Sequence, residues 1–198
     1  MIESKKDLKE YLEADKVSLD ISRKKPKLFG DYLWKFEIIL RKHEYYLNTG
    51  KKIRALYFKY KHTKLGLKLG FSIPCNCFGK GLRLNHYGSV IVNSKAKIGE
   101  FCSIFNDVNI GEDYNQNCPT IGNNVWIGPG AKIFGSIYIA NNIMIGANSV
   151  VNKSFLDENV RIAGVPAKVV SYGKNALSLD LRWKERWYIY GQENNYTR

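Results

Sequence analysis

The sequence predicts a mainly β protein: a parallel β-helix behind a short helical region, closed by a C-terminal tail. Two observations carry this reading. A branched apolar residue recurs every six positions from Val92 to Val151, and glycine, alanine or asparagine commonly follows it. The register of that repeat breaks at two places, one beside His86 and one between Ile110 and Ile121. Three units follow: 1–70, helical and rich in basic and aromatic residues; 71–171, the β-helix; and 172–198, the tail.

Within the first unit, residues 4–16 and 31–47 show helical spacing of apolar side chains. These are Leu8, Tyr11 and Leu12, then Tyr32, Phe36, Ile39, Leu40, His43, Tyr46 and Leu47. Asp31 is placed to cap the second helix, and Asn48-Thr49-Gly50 to stop it. Residues 51–66 predict a third, with Ile53, Leu56, Tyr57 and Tyr60 on one face.

The repeat itself runs through Val92, Ile98, Ile104 and Ile110, then Ile121, Ile127, Ile133, Ile139, Ile145 and Val151. Four positions after most of them comes a second apolar or small residue, such as Ala96, Cys102, Val108, Val125 or Ala131. A period of six fits neither the 3.6 of a helix nor the 2 of a strand hairpin. It fits a coil with three flat faces, branched residues inward and small residues beside them. Asn123-Asn124 and Asn141-Asn142 suit the corners, since asparagine tolerates left-handed backbone. Stacked coils pair their backbones and bury one another's faces. Before Val92 the phase is shifted by two (Phe78-Gly79, Leu84-Asn85, Val90), and His86 sits at that slip. Between Ile110 and Ile121 five extra residues must loop out. Irregularities on a rigid scaffold are where function is sought. The tail offers only Trp183 and Trp187, spaced for one amphipathic turn.

Composition narrows the class. The 198 residues are 44% hydrophobic and 25% charged, with a net charge of +13. Residues 23–70 hold fourteen Lys/Arg against three Asp/Glu, with nine aromatics between Phe29 and Tyr60. That arm could dock on an anionic membrane surface or pack its aromatics while its charges stay solvated. No recognised nucleic-acid module accompanies the charge, so no nucleic-acid partner is expected. Neither a membrane span nor a secretory leader is legible, which predicts a cytoplasmic protein, the arm reaching at most the inner face of the membrane. Cys75, Cys77, Cys102 and Cys118 lack CxxC spacing, and His43 and His62 lie outside the repeat. Packing or solvated roles are expected for these histidines, and no metal.

The motifs FGKGLRLNHYGSVIV, IGPGAKIFGSIYIANNIMIGANSVV and AGVPAKVV, over about residues 71–171, resemble the hexapeptide-repeat acyltransferases. The order is most similar to their serine acetyltransferase branch, including relatives that O-acetylate polysaccharides. The resemblance implies a left-handed parallel β-helix, a homotrimer with sites between subunits, and acetyl-CoA as acyl donor. His86 matches the branch's catalytic base. A neutral imidazole can take the proton of an attacking hydroxyl, and a backbone N–H near a corner can hold the oxyanion. Gly111, Pro129 and Ala147 match cofactor-binding repeat positions, though each also serves as an ordinary corner residue. Lys168 in GVPAK matches a lysine that approaches the cofactor phosphates, or is a solvated surface lysine. Asn85, Tyr87, Asn106 and Asp107 are the candidates for holding the acceptor or orienting His86; Asn106 and Asp107 also suit plain corners.

Two departures bear on the acceptor. The branch orients its base with an aspartate one coil earlier, where this sequence offers Ser72 and Asn76. It also carries a second histidine in the extruded loop, where Asn117-Cys118-Pro119 stands here. On these grounds the expected acceptor is a sugar hydroxyl, free or lipid-linked, in capsular or exopolysaccharide biosynthesis. The alternative is serine O-acetylation in cysteine biosynthesis.

Overall fold

In the computed structural model, which describes residues 1–173, the six-residue repeat closes into a three-sided prism. The tail, with Trp183 and Trp187, lies outside the described residues. Three parallel sheets form the sides. The first holds β1 (Phe71–Ser72), β3 (Val90–Val92), β6 (Val108–Gly111), β9 (Lys132–Phe134) and β12 (Val150–Val151). The second holds β4 (Lys97–Ile98), β7 (Thr120–Ile121) and β10 (Tyr138–Ile139). The third holds β2 (Arg83–Leu84), β5 (Ser103–Ile104), β8 (Trp126–Ile127), β11 (Met144–Ile145) and β13 (Val160–Gly164). An antiparallel strand, β14 (Ala167–Tyr172), closes the third sheet.

The branched residues stack in columns down the interior. On the third sheet Leu84, Ile104, Ile127, Ile145 and Ile162 pair in register and none has measurable exposure. Each such side chain contributes roughly 1.5–3 kcal/mol by leaving water. Corner asparagines carry the tight turns: Asn124, Asn142 and Asn148 all have positive φ near 55–60°. They also link coils, as Asn124 Nδ2 donates to Asn142 Oδ1 at 2.6 Å. Gly99 and Gly122 are required by closeness, not by φ. A Cβ on Gly99 would lie 2.7 Å from the Gly122 carbonyl carbon in the next coil.

The helical region is a cap on the open end of the prism. It consists of α1 (Lys5–Ser18), α2 (Tyr32–Asn48) and α3 (Lys52–Leu69). The first coil has no coil above it, so its upward backbone groups would be orphaned. Side chains from the helices take their place. Asp15 Oδ1 accepts from the amides of Gly81 and Leu82, Glu44 Oε1 from Asn76, and Glu37 Oε1 from Leu84. Arg41, fully buried, donates to the carbonyls of Phe78 and Gly79 and to the carboxylates of Asp15 and Glu44. Burial raises the pKa of all three acids, with Arg41 opposing; for Glu37 the rise is large, and Asp15 adds to it.

Two local expectations are corrected. Asp31 does stand at the start of α2, but in a left-handed conformation and without capping it. Its carboxylate is spent on the Lys27 amide and on Arg23. The face of α3 with Ile53, Leu56, Tyr57 and Tyr60 points outward instead of packing. The helix buries His62, Gly66 and Leu69, because Gly66 lets it approach the Phe71 carbonyl, where a Cβ would come within 2.8 Å. Basic residues of this arm sit over its own aromatic rings, Lys61 over Tyr57 and Lys51 over Tyr45. No helix among the described residues is long and apolar enough to cross a membrane.

Candidate active site

The slip in register at His86 is a longer corner. Leu84 pairs with Ile104, and Val90 with Val108, so the chain spends two more residues turning at His86 than one coil later. The extra length pushes His86 and Tyr87 into solvent. The corner's base is pinned by the helical cap: Gly88 N–H donates to the Leu69 carbonyl, and Val90 N–H to Gly70. Glycine suits that seat, since Gly70 ends α3 with φ +80° and a Cβ on it would lie 3.0 Å from the Gly88 backbone. A rigid seat therefore presents an exposed imidazole. The His86 ring packs on Phe105 at 5.7 Å between centroids, and Phe105 on Trp126 at 4.9 Å. Among the described residues no hydrogen bond orients the ring.

The edge where the third sheet turns into the first collects most of the candidate residues. Below His86 in successive coils come Asn106, Pro129 and Ala147, then the β13–β14 turn that pairs Ala163 with Lys168. Stacking is direct: Gly130 N–H donates to the Asn106 carbonyl, and Asn148 N–H to the Pro129 carbonyl. From the His86 coil to the strand of Lys168 is five strand steps, about 24 Å at the ordinary strand spacing. Lys168 and Ala147 are exposed. Gly111 is elsewhere, at the end of β6 on the next edge, and the structure does not bring it to His86 within one chain.

The expected acceptor residues divide. Tyr87 is 68% exposed and lines a groove of about 420 Å³ with Leu19, Ile21, Asp31, Leu33 and Trp34. Asn85 is not available, because its amide donates to Ser103 Oγ and the Ile104 carbonyl and accepts from Arg83. Asp107 is a left-handed corner residue paired with Lys132 at 2.9 Å, so it does not orient His86. Asn76 is likewise paired with Asn48 through both side-chain amides. The second break is an extruded loop between β6 and β7, closed on Asp113, whose carboxylate accepts from the Asn117 amide. Tyr114 at its tip is fully exposed.

Sequence reasoning missed Phe105, Trp126 and Trp34. The first two fall on outward positions of the repeat, where bulky aromatics two coils running are a usable signal. Trp34 could not be placed without the fold. His43 and His62, expected in packing or solvated roles, are buried, and their Nδ1 atoms lie 3.1 Å apart. Burial lowers the pKa of His43, and burial with His43 nearby pushes that of His62 down to about 4.

This prism, with its exposed histidine on an extended corner, has the left-handed β-helix fold of the hexapeptide-repeat acyltransferases. Residues 118–153 match the family described as bacterial transferase hexapeptide (six repeats). The particular relatives are serine acetyltransferases. That of Buchnera aphidicola from Acyrthosiphon pisum is 36% identical over 132 residues, covering 64% of this chain and 47% of the relative. That of Haemophilus influenzae is 32% identical over 138 residues, covering 67% and 49%. Among solved structures, the serine acetyltransferase of Brucella abortus strain S19 aligns with a TM-score of 0.65 at 28% identity, covering 82% of this chain and 68% of that one. The chain spans about half the length of the curated relatives it matches.

These relatives overturn the expected sugar acceptor, lipid-linked units and polysaccharide biosynthesis included. Proteins 32–36% identical to this chain are named serine acetyltransferases. The physical reason is that the expectation rested on two absent residues, an aspartate that orients the base and a loop histidine. To an imidazole, a serine hydroxyl and a sugar hydroxyl are the same kind of nucleophile, so those departures do not identify the acceptor.

Proposed function

We propose that this protein is an acetyl-CoA-dependent serine O-acetyltransferase of cysteine biosynthesis, with His86 as general base. The observation that carries the reading is His86 itself, exposed on a rigid, lengthened corner at the head of the Asn106–Pro129–Ala147–Lys168 edge. The names of the relatives supply the donor and the acceptor.

The imidazole takes the proton of the serine hydroxyl as its oxygen attacks the thioester carbonyl. The tetrahedral intermediate collapses, the C–S bond breaks, and the departing thiolate receives the proton from the imidazolium. O-acetylserine and CoA leave. Phe105 and Trp126 give the pantetheine arm an apolar wall beside His86, and Lys168 stands at the far end to meet phosphates as a point charge. Sites between subunits of a homotrimer fit a base that no hydrogen bond orients among the described residues. A neighbouring subunit's loop 112–119, or its Gly111 edge, would then complete the site.

With L-serine and acetyl-CoA, His86→Ala should lower turnover by about 10²–10⁴-fold, the usual contribution of a general base. Its melting temperature should stay at the wild-type value, because the ring is exposed. Unchanged turnover would remove His86 from the chemistry.

A further inference from the structure

Where the helical cap meets the first coil, three metal-ligating side chains converge from separate elements. His43 comes from α2, His62 from α3 and Cys75 from the turn after β1. Their donor atoms all lie within 4.8 Å of one another. His43 Nδ1 is 3.1 Å from His62 Nδ1 and 3.1 Å from Cys75 Sγ. The site is on the cap, not on the His86 edge, and the acyl-transfer chemistry makes no use of it.

Protons alone serve this arrangement poorly. A ring nitrogen of a neutral imidazole carries either one proton or one lone pair. His43 Nδ1 therefore has a single proton or a single lone pair to share between His62 Nδ1 and Cys75 Sγ, both 3.1 Å away. A cation placed between the three donors meets every lone pair at once. Zinc with Zn–N bonds of about 2.0–2.1 Å and a Zn–S bond of about 2.3 Å requires tetrahedral ligand separations of roughly 3.3 Å for N···N and 3.6 Å for N···S. The two short sides are 3.1 Å each, shorter than these by about 0.2 and 0.5 Å, and all three donors lie within 4.8 Å of one another.

We propose that His43, His62 and Cys75 form a structural site for a borderline-soft d¹⁰ cation, zinc(II), that fastens α2 and α3 to the first coil. Imidazole and thiolate donors select zinc over magnesium or calcium, whose preference is for oxygen. A solvent molecule takes the fourth position.

The test is zinc content after incubation of the full chain with zinc and gel filtration. One zinc per chain is expected in the wild type, and none in His62→Gln or Cys75→Ser. His86→Ala should retain it, which separates the site from zinc held by the exposed histidine. Because buried variants can misfold, a second measurement uses the wild type alone. Cobalt(II) loading should produce a thiolate-to-cobalt charge-transfer band, and zinc should raise the melting temperature reversibly with a chelator. No zinc after gel filtration, a cobalt spectrum without the sulfur band, or equal zinc in folded Cys75→Ser would each overturn the proposal.

Discussion

Arg41→Met should unseat the helical cap from the β-helix. The guanidinium is fully buried and makes five hydrogen bonds, to Asp15 through Nε and Nη2, to Glu44, and to the Phe78 and Gly79 carbonyls. Methionine keeps the volume but returns none of these. Asp15 Oδ1 would retain the amides of Gly81 and Leu82, whereas Oδ2 and the Glu44 Oε2 would be left without the bonds Arg41 gives them. Removing one side of a buried ion pair costs about 3–5 kcal/mol. At roughly 2–4 °C per kcal/mol for a chain of this size, the melting temperature should fall by about 6–20 °C. Thermal unfolding followed by circular dichroism at pH 7 reads this directly. The sign with pH is a further check. Burial already raises the Asp15 and Glu44 pKa values while Arg41 lowers them, so without Arg41 they rise further. A carboxyl whose folded pKa exceeds its unfolded one is stabilising at low pH and loses that contribution as pH rises. The gap between variant and wild type should therefore open above the ordinary values of 3.8 and 4.5, and be narrower at pH 5 than at pH 7. A fall of less than about 2 °C at pH 7, or a gap that widens on acidification, would refute the capping argument.

Other consequences follow from the same structure. Glu37→Gln should stabilise the protein progressively as pH rises above 4.5, because the buried Glu37 must hold its proton or bury a charge and glutamine does neither; melting curves from pH 5 to 8 check this, and a constant difference would contradict it. Gly99→Ala should destabilise by about 1–3 kcal/mol in urea unfolding, since its Cβ would press on the backbone of the next coil; an unchanged midpoint would mean that the coils can part at no cost.

The β-helix was legible because its signal is redundant. Ten branched residues in one register say that each coil repeats the last, and the interior columns follow. The two breaks were legible for the same reason, and both became features: the His86 corner and the 112–119 loop. The cap was not legible. Asp15, Glu37, Arg41 and Glu44 look like ordinary charges on amphipathic helices, and nothing local shows that a solenoid's open end needs donors and acceptors from elsewhere. His43, His62 and Cys75 failed for a related reason, being separated by 19 and 13 positions on three elements that meet only in the fold. The acceptor was misread because missing residues were taken as evidence about the nucleophile. Asn85 and Asp107 were plausible neighbours of His86 in sequence, but their side chains bond within the coil stack.

The most direct test is CoA release from acetyl-CoA with L-serine as the only acceptor, with O-acetylserine identified by mass. The account predicts serine-dependent release by the wild-type chain and its near-complete loss in His86→Ala. Release no faster than hydrolysis in the absence of serine, from a chain shown to be folded and to bind acetyl-CoA, would contradict it.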